Sequence, residues 1–147
     1  MDCIFCAIVA GRVPASIVYE DDTTLAFMDI TPATAGHLLV IPKAHYRNLF
    51  DAPPAVAAQV MQTGARLAPA LRAASGCAGM NFYVANEAPA GQEVWHLHLH
   101  LLPRYAGDGF GLRFPPGYGR RPPRAELEEW AARIKTSFAQ PHDENAK

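Results

Sequence analysis

The chain has 147 residues, half of them apolar and 18% charged, and its 13 basic and 14 acidic side chains give a formal net charge of −1. With a pI near 6.6, that balance offers no attraction for nucleic acid or an anionic membrane surface, and neither is expected as a partner. The length suits one domain with a substantial core; residues 1–140 are expected to form it and residues 141–147 a polar tail. The opening "MDCIFCAIVAGR" has no positive leading segment, and its apolar run is too short for a signal peptide or a membrane span, so a cytoplasmic location is expected.

Residues 3–10 read as a short apolar helix or turn stopped by Gly11. "IVYED" and "TLAFMDI" read as strands joined at Asp21 and Asp22, "TPATAG" as a loop, and "HLLVIP" as a strand. A helix is expected over 54–74, starting at the Asp51–Pro54 signal and burying Val56, Val60, Met61, Leu67 and Leu71 at helical spacing. Pro69 predicts a kink or an early stop within it. "NFYVAN" is the next strand, and "EAPAGQ" links it to a strand through "VWHLHLHLL" that Pro103 ends. The proline- and glycine-rich stretch 105–123 reads as an irregular excursion, and Arg113, Arg120, Arg121 and Arg124 as solvated loop residues. "RAELEEWAARIKTSF" places Leu127, Trp130, Ala131 and Ile134 on one face of a C-terminal helix. Strands on both sides of one long helix, without strict alternation, predict an α+β fold with a central antiparallel sheet.

The stretch Val94–Arg104 carries three of the six histidines at alternate positions. On a strand, His96, His98 and His100 share one face, while Trp95, Leu97, Leu99 and Leu101 share the other and pack on the core. Imidazole is costly to bury without a partner. Three readings follow: a strand whose polar face is histidine, a metal site made by a histidine pair, or a catalytic site in which one histidine attacks and the others orient it. All three rings stand in a line rather than around a point, which counts against a metal held by the whole set.

"HLHLHLL" is similar to the His-x-His-x-His-x-x signature, with apolar x, of the histidine triad (HIT) family of nucleotide hydrolases and transferases. The segments "CIFCAIVAG", "VYEDDTTLAFMDITPATAGHLLVIPKAH", "NEAPAGQEVWHLHLHLLPRYAGDGF" and "YGRRPP" resemble bacterial members in the same order. The resemblance implies a HIT-like fold, a homodimer, and attack on the α-phosphate of a purine nucleotide carrying an amine or polyphosphate leaving group. His98 would be the nucleophile, passing through a nucleotidyl-imidazole intermediate. His100 would bind phosphate oxygens, His37 would support the triad, and His96 completes the catalytic set. A neutral imidazole suits this work, provided its other nitrogen is held as a donor, as a backbone carbonyl would do. The runner-up is a nucleotide-binding regulatory protein with little turnover.

By the same resemblance, Ile4, Phe5, Ile8, Phe27, Ile30 and Leu39 would hold the base, and Asp29 would accept from the ribose hydroxyls. Plain core packing rivals the first role for Ile8 and Leu39, and turn capping rivals the second. Asn86, Gly91 and Gln92 fall where phosphate contacts are implied, the last through its amide donors. Glu93 stands where the phosphoramidase branch carries serine. A carboxylate beside phosphate is repulsive, so its side chain must point away or only its N–H contributes.

Cys3 and Cys6 form a Cys-x-x-Cys pair at the N-terminus. A redox pair normally follows a strand, and a reducing compartment disfavours a disulfide. Zinc needs four tetrahedral nitrogen or sulfur ligands; His45 and His96 are the best remaining candidates, as in some bacterial members the chain resembles. Such a site would be structural, with no open position for water. Two metal-free thiols are the alternative, and Cys77 reads as a small semi-buried residue.

Overall fold

The computed structural model describes residues 3–139. The elements run α1 (Ile4–Val9), β1 (Ile17–Glu20), β2 (Thr24–Met28), β3 (Leu38–Pro42), α2 (Pro54–Ser75), β4 (Gly79–Tyr83), β5 (Leu99–Arg104) and α3 (Arg124–Ala139), with a 3-10 turn at Ala88–Ala90 between β4 and β5. The five strands form one sheet in the order β1-β2-β3-β5-β4, and every pairing is antiparallel. The expected α+β architecture holds. The expected tail, 141–147, lies outside the described residues. The chain divides between Phe110 and Gly111 into two compact units.

β3 is apolar throughout and β2 apolar after Thr24, and alternate residues feed two cores. Ala26, Leu38 and Val40 pack with Leu99, Leu101 and Val60 under α2. Leu25, Phe27, Leu39 and Ile41 pack with Phe5 of α1 on the other face. The sheet is thus a wall between a long helix and a short one, and the histidines enter on the α1 side.

α2 begins with Pro54 in its first turn, where a missing N–H costs nothing. It runs through Pro69 to Ser75 rather than stopping early. Pro69 and Ala65, whose carbonyl loses its helical partner, both lie on the exposed face of the helix, open to solvent. Val60, Thr63 and Gly64 are its buried positions, while Met61 is exposed, against expectation.

The histidine strand is shorter at its start and longer at its end than its alternation predicts. It begins at Leu99, so His96 and His98 precede it. The His96 and Leu97 N–H groups donate to the Val94 and Tyr46 carbonyls, not to a neighbouring strand. Trp95 is exposed instead of joining the leucine face. Pro103 lies inside the strand opposite Met80. Pairing with β3 ends at Leu101, so its missing donor falls where only one neighbour remains.

In the second unit, α3 forms as expected, but Leu127, Trp130 and Ile134 are all exposed and none of its residues is buried. Phe114 stacks on Tyr118. No helix of the described residues is long and apolar enough to cross a membrane.

Candidate active site

His98 is buried just before β5. Its Nδ1–H donates to the His96 carbonyl at 2.6 Å, so Nε2 carries the lone pair. Burial lowers its pKa, against the opposing pull of that hydrogen bond and of Asp29, and the ring is neutral near pH 7. Phe5 meets it edge-on, with ring centroids 5.4 Å apart.

The protons of the next pair can be traced. The Ala33 N–H donates to His37 Nδ1 at 3.2 Å, so that nitrogen is bare and the proton of the neutral ring sits on Nε2. His37 Nε2 lies 2.8 Å from His100 Nδ1; the bond therefore runs from His37 to His100 and leaves the His100 proton on Nε2. Burial and the neighbouring histidines push His100 down to about 3, and burial lowers His37 as well. The His98 and His100 rings are 4.7 Å apart. One presents a lone pair and the other an N–H donor, which is what attack on a charged phosphorus centre needs.

His96 is fully buried and faces away from this pair. Its Nε2–H donates to the Pro42 carbonyl at 2.8 Å, and burial pushes its pKa down to about 4. Its Nδ1 lies 3.5 Å from Cys3 Sγ and 3.6 Å from Cys6 Sγ. Cys6 Sγ in turn lies 3.3 Å from His45 Nδ1, and all four ligand atoms fall within 4.8 Å of one another. A tetrahedral zinc centre has ligand–ligand edges of roughly 3.3–3.8 Å, so the residues fit one. The Pro42 hydrogen bond fixes the tautomer that points Nδ1 at the thiols. Burial, then the neighbouring Cys3, raises the Cys6 thiol pKa.

Of the base-slot residues, Phe5, Phe27 and Leu39 are brought together in the α1 core, with Ile8 packed against them. Ile4 is partly exposed, and Ile30, at 93% exposure, projects from the loop and is not part of the cluster. Asp29 caps its own turn: Oδ1 accepts from the Thr31 N–H and hydroxyl. Oδ2 stands 3.6 Å from His37 Nδ1.

The 86–93 loop is held differently from expectation. The amide of Gln92 is buried, and Nε2 donates to the Arg47 and Val94 carbonyls at 2.6 and 3.0 Å. Oε1 accepts from the Glu87 N–H and from Asn48. With all its polar atoms engaged, this side chain braces the loop and has no donor left for phosphate. Asn86 Oδ1 accepts from the Leu49 N–H. Gly91 sits at φ +87° with open space around it, so backbone conformation requires the glycine. The Glu93 side chain is exposed.

Four contributors had no sequence signal. Glu87 adopts φ 71°, ψ 162°, a region that only glycine enters freely. It is held there by Arg47 at 2.9 and 2.7 Å and by Asn48 at 2.8 Å. Tyr83 stacks on His100 at 4.2 Å with planes 6° apart. The alternation of "NFYVAN" could have placed Tyr83 on a face, but only the strand register sets it against His100.

The family model described as "HIT domain" matches residues 10–107. An adenylylsulfatase of Arabidopsis thaliana is 40% identical over 107 residues, 73% of this chain and 54% of that protein. The crystal structure of a Streptococcus mutans UA159 protein superposes with a TM-score of 0.88 at 44% identity, covering 93% of this chain and 85% of that one. A zinc-bound histidine triad protein of Mycobacterium smegmatis gives a TM-score of 0.72 at 39% identity, over 93% and 98% of the two chains.

Proposed function

The chain belongs to the HIT domain family, and from that premise we propose that it hydrolyses purine nucleotides at the α-phosphate through a nucleotidyl-His98 intermediate. The observation that carries this reading is the buried His98 ring, its Nδ1–H donated to the His96 carbonyl so that Nε2 is bare. In the first step His98 Nε2 forms a bond to phosphorus, and the bond to the leaving atom breaks with its electron pair. The His100 Nε2–H donates to a phosphate oxygen as charge accumulates there. In the second step water attacks phosphorus, the N–P bond breaks, and His98 returns to its neutral form. Overall, one water proton goes to the leaving group and hydroxyl to the nucleoside monophosphate. The relationship to an adenylylsulfatase supports a reaction at an adenylyl phosphorus.

Phe5, Phe27 and Leu39 would take the base, and Asp29 Oδ2 the ribose. Cys3, Cys6, His45 and His96 would hold a structural zinc, consistent with the zinc-bound relative. Bound there, the metal supplies cross-linking rather than chemistry: it would tie α1, which carries Phe5, to the start of the triad. The same reading takes the protein as a homodimer, which light scattering tests.

Incubation with adenosine 5′-phosphoramidate should release ammonia from the wild-type protein and none from His98→Ala. Nucleotide binding without turnover in the wild type would overturn the hydrolase and favour a binding module.

A further inference from the structure

The register of the sheet lines up one row of side chains. Phe27 on β2 opposes Leu39 on β3, Leu39 opposes His100 on β5, and His100 opposes Tyr83 on β4. Directly opposed residues share a face of a sheet. The row therefore runs from an apolar end, through the phosphate-binding histidine, to an aromatic ring on the edge strand. A nucleotide with its base at Phe27 and Leu39 and its phosphorus beside His100 would have Tyr83 on the far side of the phosphorus, next in the row.

The chemistry at that end is specific. Tyr83 is 42% exposed, and its ring is parallel to His100. Its phenol stays protonated, because burial first, and then the carboxylates of Asp29 and Glu93, raise its pKa. Glu93 is exposed and, among the described residues, has no Lys or Arg partner, unlike Glu87, which Arg47 neutralises. Asp29, held by the Thr31 N–H and hydroxyl, has among the described residues no Lys or Arg partner and only the neutral His37 ring at ion-pair distance. An ammonium group arriving here meets an aromatic face and an uncompensated negative field. A polyphosphate meets the same field as repulsion.

We propose that Tyr83 and Glu93 select the leaving group, favouring nucleoside phosphoramidates whose departing amine bears a second, cationic ammonium over those with a neutral amine and over dinucleoside polyphosphates. The inference rests on the hydrolase reading above and narrows its substrate class. Three probes test it: adenosine 5′-phosphoramidates of 1,4-diaminobutane and of n-pentylamine, nearly equal in size, and diadenosine tetraphosphate. The ratio of kcat/KM for the diamine over the pentylamine compound should be about three to ten in the wild type. It should fall below about two in Glu93→Gln, drop below one in Glu93→Lys, and be reduced in Tyr83→Leu. Added salt should compress the wild-type ratio. Glu93→Lys should also raise the relative turnover of the tetraphosphate. A wild-type ratio near one, or a ratio that Glu93→Gln and Glu93→Lys leave unchanged while hydrolysis proceeds, overturns this inference alone. Failure of all three probes to turn over overturns the hydrolase reading and the inference with it.

Discussion

Gly64 shows how tightly the long helix is set against the strand that carries the histidines. A Cβ added there would lie 2.8 Å from Leu99 Cδ2 and 3.3 Å from Leu101 Cδ1, where carbon pairs prefer about 3.5–4.0 Å. Two effects compete in Gly64→Ala. Helix propensity favours alanine by roughly 1 kcal/mol. Overpacking costs about 1–3 kcal/mol, because something in the core must move. Leu99 cannot swing out of the way: it is buried with Ala26, Val40 and Val60, and its chain neighbours are His98 and His100. The expected net result is a loss of roughly 1 kcal/mol, or a fall of about 2–4 °C in Tm. Urea unfolding followed by circular dichroism measures it. Turnover should fall as well, since a shift of β5 carries His98 and His100 with it. Adding Leu99→Val should recover part of the loss, with a coupling of at least about 0.5 kcal/mol. A Gly64→Ala protein that is more stable by about 1 kcal/mol would refute the reasoning, since propensity alone would then decide.

In metal-free protein, stability should be complete above about pH 6.5, the unfolded histidine value, and fall as the pH drops towards the values near 4 and 3 of His96 and His100. The sign follows from burial of neutral rings: the unfolded chain takes up protons that the folded chain refuses, so each such histidine costs roughly 1.4 kcal/mol per pH unit in that window. Denaturant melts at pH 7, 5.5 and 4.5 check this, and a flat profile would contradict it. Elemental analysis of protein purified without chelator should give one zinc per chain, lost in Cys3→Ser, and a strong chelator should lower Tm. Absence of stoichiometric zinc would leave two thiols beside His96. Glu87→Ala should loosen the 86–93 loop, raising its amide exchange, because Arg47 and Asn48 lose their common acceptor; unchanged protection would show that Gln92 alone suffices.

Much of the fold was legible because hydrophobic period and turn chemistry agree. "HLLVIP" and "TLAFMDI" read as strands and form β3 and β2, and residues 54–74 carry a helical period that Pro69 does not interrupt in space. The site was legible where chemistry is local in sequence: His98 and His100 lie side by side and the Cys-x-x-Cys pair lies beside His45 and His96, although His96 turns to the thiols rather than sharing a face with the other two. What escaped was set by distant partners. Tyr46 receives the Leu97 N–H and so delays the strand past His98. The Gln92 amide looked available, but carbonyls from Arg47 and Val94 consume both its protons. Ile30 follows an apolar strand yet projects from the loop into solvent. Glu87 holds a glycine-like conformation that no residue type announces, because Arg47 and Asn48 lie some 40 positions away.

Rapid quenching of a reaction with adenosine 5′-phosphoramidate, followed by peptide mass spectrometry under conditions that preserve N–P bonds, reads the covalent step directly. One adenylyl group on the imidazole of His98, absent in His98→Ala, is the predicted result. An adduct on His96, His100 or another residue, or hydrolysis that proceeds through a metal ion seated on the histidine row with no adduct at all, would contradict it.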